Sequence, residues 1–210
     1  MKLYWFQVAP NPTKVRLYIA EKNAVGAGID LEEVVVKLPK GEQNLPEHEA
    51  RNPFRSLPVL ELDDGTYLIE SLTIIDYLEE LFPSPPMWGI DTVTRVRSRE
   101  LERVADLRVL LPIARYIHAT ESPLGLPPNS GIAAHSKMVL PAGLKFIDGI
   151  LSDGRPFLCG QRPTVPDCTL AAALQFARFA KFDVRSGYLN IQRWDDHYRD
   201  RDAALHVLTL

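Results

Sequence analysis

The chain has 210 residues, of which 46% are hydrophobic and 24% charged, and its formal net charge is -3. This balance is typical of a globular protein of one or two domains, and it excludes a general electrostatic attraction to nucleic acid or to anionic membranes. No apolar run reaches the roughly 18 residues that a transmembrane helix needs. The chain starts directly with strand-like sequence, and its two cysteines form no Cys-x-x-Cys motif. We therefore expect a cytoplasmic protein without a disulfide framework or a metal site.

The first 82 residues predict a small domain of alternating strands and helices. The short runs KLYWF and LEEVVVKL are typical of strands, and the helix between them is predicted to begin at Thr13. The turn signal Asp63-Asp64-Gly65 separates PVLEL from TYLI and predicts a β-hairpin. SLTIIDYLEELF has apolar residues at helical spacing. The order indicates a right-handed parallel crossover, to which the hairpin adds antiparallel strands.

A proline-rich segment, residues 83–92, separates this domain from a different second half. Three prolines within four residues cannot continue a helix, so the segment predicts a linker. Residues 93–210 contain long helical patterns and no good strand candidate. Pro112 predicts a kink or break in the first long helix, and Pro141 lies inside the second. The stretch Thr164–Asp167 predicts a capping box, with a structural role, before a buried helix. The fold class is therefore an α/β domain followed by an all-α domain.

The first loop, Ala9-Pro-Asn-Pro-Thr13, faces the N-terminus of the first helix. A thiolate held there would be stabilised by the helix dipole and by hydrogen-bond donors, which Asn11 and Thr13 supply. The loop has no ionisable side chain, so we expect the protein to activate the thiol of a ligand. The alternative is that Asn11 and Thr13 only shape the turn and cap the helix.

Two further local choices suggest ligand binding. Pro58 starts a strand and has no N–H for the ladder, so a cis Leu57-Pro58 bond would turn the Leu57 backbone towards a ligand. The alternative is an edge proline in the trans form without a function, which the pattern alone favours. Glu70 and Ser71 precede a helix, where the acid can accept an ammonium group while Ser71 and the free N–H groups hold a carboxylate. A plain N-cap beside an acidic residue would give the same pair of residues.

Taken together, these motifs resemble the glutathione S-transferase superfamily over essentially the whole chain. The resemblance is carried, in order, by A-P-N-P-T-K-V-R, G-E-Q-N-L-P-E, N-P-F-R-S-L-P-V-L, the Glu70-Ser71 pair, the proline linker and T-V-P-D. It implies a thioredoxin-like domain that binds glutathione as co-substrate and a helical domain that lines the second-substrate pocket. It also implies that Pro58 is the cis-proline, that Leu57 pairs with the cysteinyl part of glutathione, and that Glu70 and Ser71 hold its γ-glutamyl end.

The chain departs from the pattern of the family at several positions. Ala9 stands where many members have serine, whereas Asn11 resembles the asparagine of a bacterial and fungal, Ure2p-like and Nu-class subgroup. Asn11 is thus the expected thiol-activating residue and Thr13 the second candidate. Gln43 and Asn44 are suited to hydrogen-bond the glycyl carboxylate, and Arg55 to supply a charge. From position alone, the expected second-substrate residues are Arg108, Leu111, Arg115 and Tyr116.

Three functions are compatible with these residues. The first is a glutathione transferase of the S-conjugating type, which would direct the thiolate at a small hydrophobic electrophile. The second is a glutathione-dependent disulfide oxidoreductase, in which two glutathiones carry out the exchange without a protein cysteine. The third is a non-catalytic binding module that keeps the fold. The resemblance also implies a homodimer.

Overall fold

The computed structural model describes all 210 residues, and its first part is built on a four-stranded sheet. The strands lie in the order β2-β1-β3-β4, where β1 pairs with β2 in parallel and β3 pairs antiparallel with both β1 and β4. The strands are β1 (Lys2–Trp5), β2 (Glu32–Val35), β3 (Val59–Glu61) and β4 (Tyr67–Leu68). The helices of this part are α1 (Pro10–Ala24), α2 (Pro46–Arg51) and α3 (Ser71–Leu81). The predicted crossover and hairpin are both confirmed.

The remainder of the chain is helical, as predicted. Its helices are α4 (Thr92–Val104), α5 (Leu111–Thr120), α6 (Ser130–Ile150), α7 (Val165–Phe179), α8 (Leu189–Arg199) and α9 (Asp202–Leu205). A π-helical segment, Ala105–Leu110, joins α4 directly to α5. None of these helices has both the length and the apolar character needed to cross a membrane.

Helix α1 begins at Pro10 and not at Thr13, so the predicted start was three residues late. The first turn of a helix tolerates proline, because the N–H that proline lacks has no partner there and its fixed φ angle suits the helix. Pro10 and Pro12 both occupy this turn. Only Asn11 among the first three residues of α1 therefore keeps a backbone N–H.

The predicted break at Pro112 is a change of helix type rather than an end. Pro112 has no N–H for the carbonyl of Arg108, four residues earlier, and the chain passes through the π-helical segment just before α5. Helix α6 crosses close to this point, because a Cβ on Gly143 would overlap the carbonyl oxygen of Arg108. The π-helical segment alters which side chains of α4 and α5 share a face.

The main apolar core runs through both halves of the chain. It contains residues of β1, α1 and α3 together with residues of all the large helices of the second half. The capping box at Thr164 is confirmed, and its Asp167 is fully buried. Asp167 accepts hydrogen bonds from Thr164, from the Leu158 N–H at 2.9 Å and from Trp194 Nε1 at 3.0 Å. This carboxylate therefore fixes α7 to α8 and to the loop before α7.

Candidate active site

A cavity of about 710 Å³ lies between the two halves of the chain. We call it the interdomain cleft. The first half contributes the start of α1, the loops on both sides of α2 and the start of α3, whereas the second half contributes the π-helical segment, α5 and the loop after α5. Of the residues predicted from the sequence, the cleft is lined by Asn11, Gln43, Asn44, Arg55, Leu57, Glu70, Ser71 and Leu111.

The two residues predicted to activate a thiol have different environments. Asn11 is half-buried and lines the cleft at the N-terminus of α1. Thr13 is buried and does not line the cleft. Its Oγ1 donates a hydrogen bond of 2.9 Å to the Ala9 carbonyl, one helical turn earlier. The hydroxyl proton is therefore not free to bond a ligand. The structure thus leaves Asn11 as the side-chain donor at this helix end.

The Leu57-Pro58 peptide bond is cis. Leu57 lines the cleft, and it is buried in a small cluster with Tyr4, Val36 and Val59. Neither the N–H nor the C=O of Leu57 forms a backbone hydrogen bond within the chain. The backbone of Leu57 is therefore free to pair with an extended ligand in the cleft, as one strand pairs with another.

The predicted N-cap of α3 is displaced by one residue. Glu70, with an extended backbone, occupies the N-cap position, and Ser71 is the first residue of the helix. Ser71 is buried, and the side chain of Glu70 forms no hydrogen bond that caps the helix. Glu70 is exposed and lines the same cleft. This helix end thus offers a carboxylate, a hydroxyl and free N–H groups side by side, which suits a ligand end bearing both an ammonium and a carboxylate group.

The opposite end of the cleft carries amide and guanidinium groups. The Oε1 atom of Gln43 is buried and has no partner within the chain, and Asn44 lies beside it. A buried amide oxygen without a partner is costly unless a ligand or water satisfies it. Arg55 has a φ angle of +54°, and its Nη2 donates to Glu49 Oε1 at 2.9 Å. Part of the charge predicted for glycyl recognition is therefore neutralised by Glu49.

The residues predicted for the second-substrate pocket need correction. Only Leu111 lines the interdomain cleft. Arg108 and Arg115 line a separate groove on the other side of α5, and the Tyr116 ring packs against Phe182 at a tilt of 31°, with centroids 4.1 Å apart. The reason is helix phase, because position along the chain does not tell which face of a helix a residue occupies. The residues of this helix and segment that do line the cleft are Asp106, Leu107, Leu110, Leu111, Ala114 and His118.

An apolar chamber of about 310 Å³ adjoins the cleft and shares Ala9, Pro10 and Leu38 with it. Aromatic side chains from two parts of the chain, Phe6 before α1 and Phe176 and Phe179 of α7, line it. Such a chamber, next to a polar cleft, suits an apolar molecule that reacts with a group held in the cleft.

His118 lines both cavities, and sequence reasoning did not identify it. Its Nδ1 lies 2.9 Å from Ser122 Oγ, and its ring lies 5.9 Å from the Phe176 ring. Burial lowers the pKa of His118, which keeps its imidazole neutral near pH 7. A lone histidine on a helix carries no sequence signal of its own, because its neighbours here come from another helix and from a loop.

A buried ion network lies at the base of the cleft. Lys14 of α1 is 3.4 Å from Glu102 and 3.4 Å from Asp106, and Arg103 donates to Asp106 at 3.0 Å. Burial raises the pKa of Glu102, whereas the positive charge of the nearby Lys14 acts to lower it. The network ties the start of α1 to α4 and thereby fixes Asn11 relative to the second half of the cleft.

Both halves of the chain match known protein domains. The glutathione S-transferase N-terminal domain matches residues 3–86, and the glutathione S-transferase C-terminal domain matches residues 131–196. Glutathione S-transferase 2 of Saccharomyces cerevisiae is 28% identical over 214 residues, which span 100% of this chain and 90% of the relative.

Solved structures show the same fold. Gtt2 from Saccharomyces cerevisiae superposes with a TM-score of 0.88 at 29% identity, over 99% of this chain and 100% of that one. A glutathione S-transferase domain-containing protein from Marinobacter aquaeolei superposes with a TM-score of 0.87 at 30% identity, over 97% and 100%. A bacterial maleyl pyruvate isomerase, described as a zeta-class glutathione S-transferase, has a TM-score of 0.80 at 26% identity, over 99% and 96%.

Proposed function

Because the chain belongs to the glutathione S-transferase family, we propose that it binds glutathione in the interdomain cleft and conjugates its thiolate to an apolar electrophile in the adjoining chamber. The family uses glutathione as its co-substrate. The observation that carries the proposal is the position of Asn11. Its side chain is a hydrogen-bond donor without a partner in the chain, and it lies at a helix N-terminus that lines the cleft beside the apolar chamber. Glu70 and Ser71 would hold the γ-glutamyl end, Leu57 the cysteinyl backbone, and Gln43 and Asn44, with Arg55, the glycyl end.

In the chemical step, the protein has to place the two reactants and to stabilise the negative charge of the thiolate. A free thiol has a pKa of about 8.5, so a shift of about one to two units is needed to ionise most of it at pH 7. Hydrogen bonds from the Asn11 side chain and N–H, together with the positive end of the α1 dipole, favour the thiolate. The electrophile then gains from being held next to the sulfur. In this arrangement the neutral His118 ring would hydrogen-bond a polar group of the electrophile at the mouth of the chamber.

Conjugation of 1-chloro-2,4-dinitrobenzene with glutathione is the first assay, followed by a panel of apolar electrophiles. Replacing Phe179 with alanine should raise the KM for an aromatic electrophile several-fold, since it removes one wall of the chamber, and should leave the affinity for glutathione unchanged. Phe146→Ala, on the other side of α5, is the matched control. Equal kinetics in both variants would contradict the assignment of the chamber.

Glutathione-dependent isomerisation is a second candidate, because one of the relatives is a maleyl pyruvate isomerase. A substrate of that kind carries carboxylates and requires free cations. In the cleft, Arg55 pairs with Glu49 and Arg103 pairs with Asp106, whereas the adjoining chamber is apolar. These contacts favour conjugation of an apolar compound over isomerisation of a dicarboxylate.

Disulfide reduction would use the same glutathione site as conjugation. Measuring turnover of a mixed disulfide beside the conjugation assay therefore separates the two activities. A non-catalytic binding module, in contrast, would bind glutathione without turning over either substrate.

We also propose a homodimer, supported by exposed apolar side chains on α4. Val93 and Val96 both lie on the surface of this helix, where a second copy of the chain would cover them. Light scattering coupled to size-exclusion chromatography tests the proposal, and a monomer at micromolar concentration would contradict it.

A further inference from the structure

The loop between α2 and β3 folds around the side chain of Asn52, which is fully buried. The Asn52 Oδ1 atom accepts a hydrogen bond of 3.0 Å from the Phe54 N–H, and its Nδ2 donates one of 3.0 Å to the Ser56 carbonyl. The Arg55 N–H donates to the Asn52 carbonyl at 2.9 Å. These bonds close the loop into a tight turn that leads into Leu57, whose backbone is proposed to pair with glutathione.

His48 of α2 binds the same carbonyl group. Its Nε2 lies 3.1 Å from the Ser56 carbonyl oxygen, and only 1% of the surface of His48 is exposed. Because a carbonyl oxygen can only accept, Nε2 carries the proton in this contact. Burial lowers the pKa of His48 despite the bond to Ser56, so the ring is neutral near pH 7. With His48 and Asn52 as donors, both lone pairs of the Ser56 carbonyl are used.

The second ring nitrogen shows that an imidazole at this position has a cost. The Nδ1 atom of His48 is buried and has no hydrogen-bond partner within the chain. An unsatisfied buried acceptor costs free energy, which an apolar side chain of similar size, such as leucine, would avoid. The hydrogen bond from Nε2 to the Ser56 carbonyl is therefore the physical reason for a histidine in this buried place.

Fixing the Ser56 carbonyl also fixes the Leu57 N–H, because the two groups belong to one planar peptide unit. This peptide is not among the cis bonds of the chain, so it is trans, and its C=O and N–H point in opposite directions. The C=O is directed at the buried side chains of His48 and Asn52. The N–H thus points away from them, forms no hydrogen bond within the chain, and belongs to a residue that lines the interdomain cleft.

We propose that His48 is a positioning residue of the glutathione site: together with Asn52, it orients the Ser56–Leu57 peptide so that the Leu57 N–H donates to the ligand. The inference rests on the proposed function, because the ligand that pairs with Leu57 is glutathione. Neither His48 nor Asn52 lines the cleft, so both act through the peptide and not by touching the ligand. Loss of His48 should therefore weaken glutathione binding and leave the thiol chemistry, which is assigned to Asn11, unchanged.

The first test is calorimetric titration of the intact chain with reduced glutathione. His48→Leu removes the donor at similar size and should raise the Kd for glutathione roughly three- to tenfold. His48→Gln places an amide N–H at about the distance of Nε2 and should restore the Kd to within about twofold of the wild type. In both variants, kcat at saturating glutathione should stay unchanged, because only binding is affected.

Gly143→Ala is the control for a general loss of stability. A Cβ at Gly143 overlaps the Arg108 carbonyl in the second half of the chain, away from the loop between α2 and β3. This variant should be destabilised and should still bind glutathione as the wild type does. Asn52→Ala removes the other donor to the Ser56 carbonyl and replaces His48→Leu in the titration if that variant does not fold.

Hydrogen exchange of the Leu57 amide, followed by nuclear magnetic resonance, measures the orientation of the peptide itself. In the wild type, saturating S-hexylglutathione should slow this exchange at least roughly tenfold, because the N–H gains an acceptor. In His48→Leu the protection should be smaller, and in His48→Leu/Asn52→Ala it should be lost. Full protection of the Leu57 amide in these variants, or wild-type affinity in His48→Leu, would overturn the inference.

The remaining outcomes separate this inference from its alternatives. Equal loss of affinity in His48→Gln and His48→Leu would also overturn it, because packing of the ring and not the donated hydrogen bond would then be the cause. If the wild type binds no glutathione analogue, the proposed function fails instead. Crystals of the unbound His48→Leu/Asn52→Ala variant then decide the role of His48: we expect a rotated Ser56–Leu57 peptide, and an unchanged one would contradict that role.

Discussion

The substitution Asn11→Ala tests the proposed activation of the glutathione thiol. Pro10 and Pro12 remove two backbone donors from the first turn of α1, and the Thr13 hydroxyl donates to the Ala9 carbonyl at 2.9 Å. The Asn11 side chain is therefore the main removable donor near the expected position of the sulfur. A hydrogen bond to a charged group contributes about 1.5–3 kcal/mol, which corresponds to about one to two pKa units of the thiol.

The assay is the ultraviolet absorbance of the thiolate in the complex, followed across pH. We expect the thiol pKa of bound glutathione to rise by about one to two units in Asn11→Ala, and kcat/KM below that pKa to fall by roughly 10- to 100-fold. At high pH the difference should disappear, because the thiol then ionises without assistance. Asn44→Ala is the matched control, since it lines the same cleft away from α1, and it should weaken glutathione binding without changing the thiol pKa. An unchanged thiol pKa in Asn11→Ala would refute the assigned role.

Two further predictions concern the stability of the second half of the chain. Gly143→Ala should lower the free energy of unfolding by about 1–3 kcal/mol, because its Cβ would overlap the Arg108 carbonyl. Gly149→Ala is the control, since a Cβ there meets no atom within 4 Å. In chemical denaturation it should be neutral or stabilise the protein by up to about 1 kcal/mol. Equal effects of the two would show that α6 is not closely packed there. Burial raises the pKa of Asp167 from 3.8 to about 6, so the folded state binds this proton more tightly than the unfolded state. Its contribution to stability is then largest at acidic pH and falls by roughly 3 kcal/mol as the pH rises from about 4 to about 6, a slope that Asp167→Asn should remove. Parallel pH profiles of wild type and variant would contradict this.

Much of the fold follows from local sequence signals. The hairpin is predictable because Gly65 has a φ angle of +85° that the Asp-Asp-Gly turn supplies, and the Asp64 side chain accepts from the Thr66 N–H at 2.9 Å. The capping box of α7 is predictable for the same reason, since its partners Thr164 and Asp167 are three residues apart. The positions of Glu70 and Ser71 also follow from a local pattern, although the helix begins one residue earlier than predicted from an N-cap at Ser71.

The parts that the sequence did not predict depend on contacts between distant segments. Arg108 and Arg115 lie away from the cleft, on another face of the continuous helical stretch, and no pattern of apolar residues indicates which face they occupy. The pairing of Arg55 with Glu49 could not be predicted, because it depends on the conformation of the loop between them. His118 becomes a candidate only when the fold places it between the cleft and the aromatic chamber. The roles proposed for these residues in glutathione binding and catalysis stay predictions.

Calorimetric titration with reduced glutathione tests most directly whether the interdomain cleft is a glutathione site. We predict saturable binding by the wild-type protein, with a Kd in roughly the micromolar to millimolar range, and binding at least about tenfold weaker in Glu70→Gln, which loses the charge facing the ligand ammonium. Glu80→Gln, at the exposed end of the same helix, should bind as the wild type does. No saturable heat with the wild-type protein, or equal affinities in all three proteins, would contradict the assignment of the cleft.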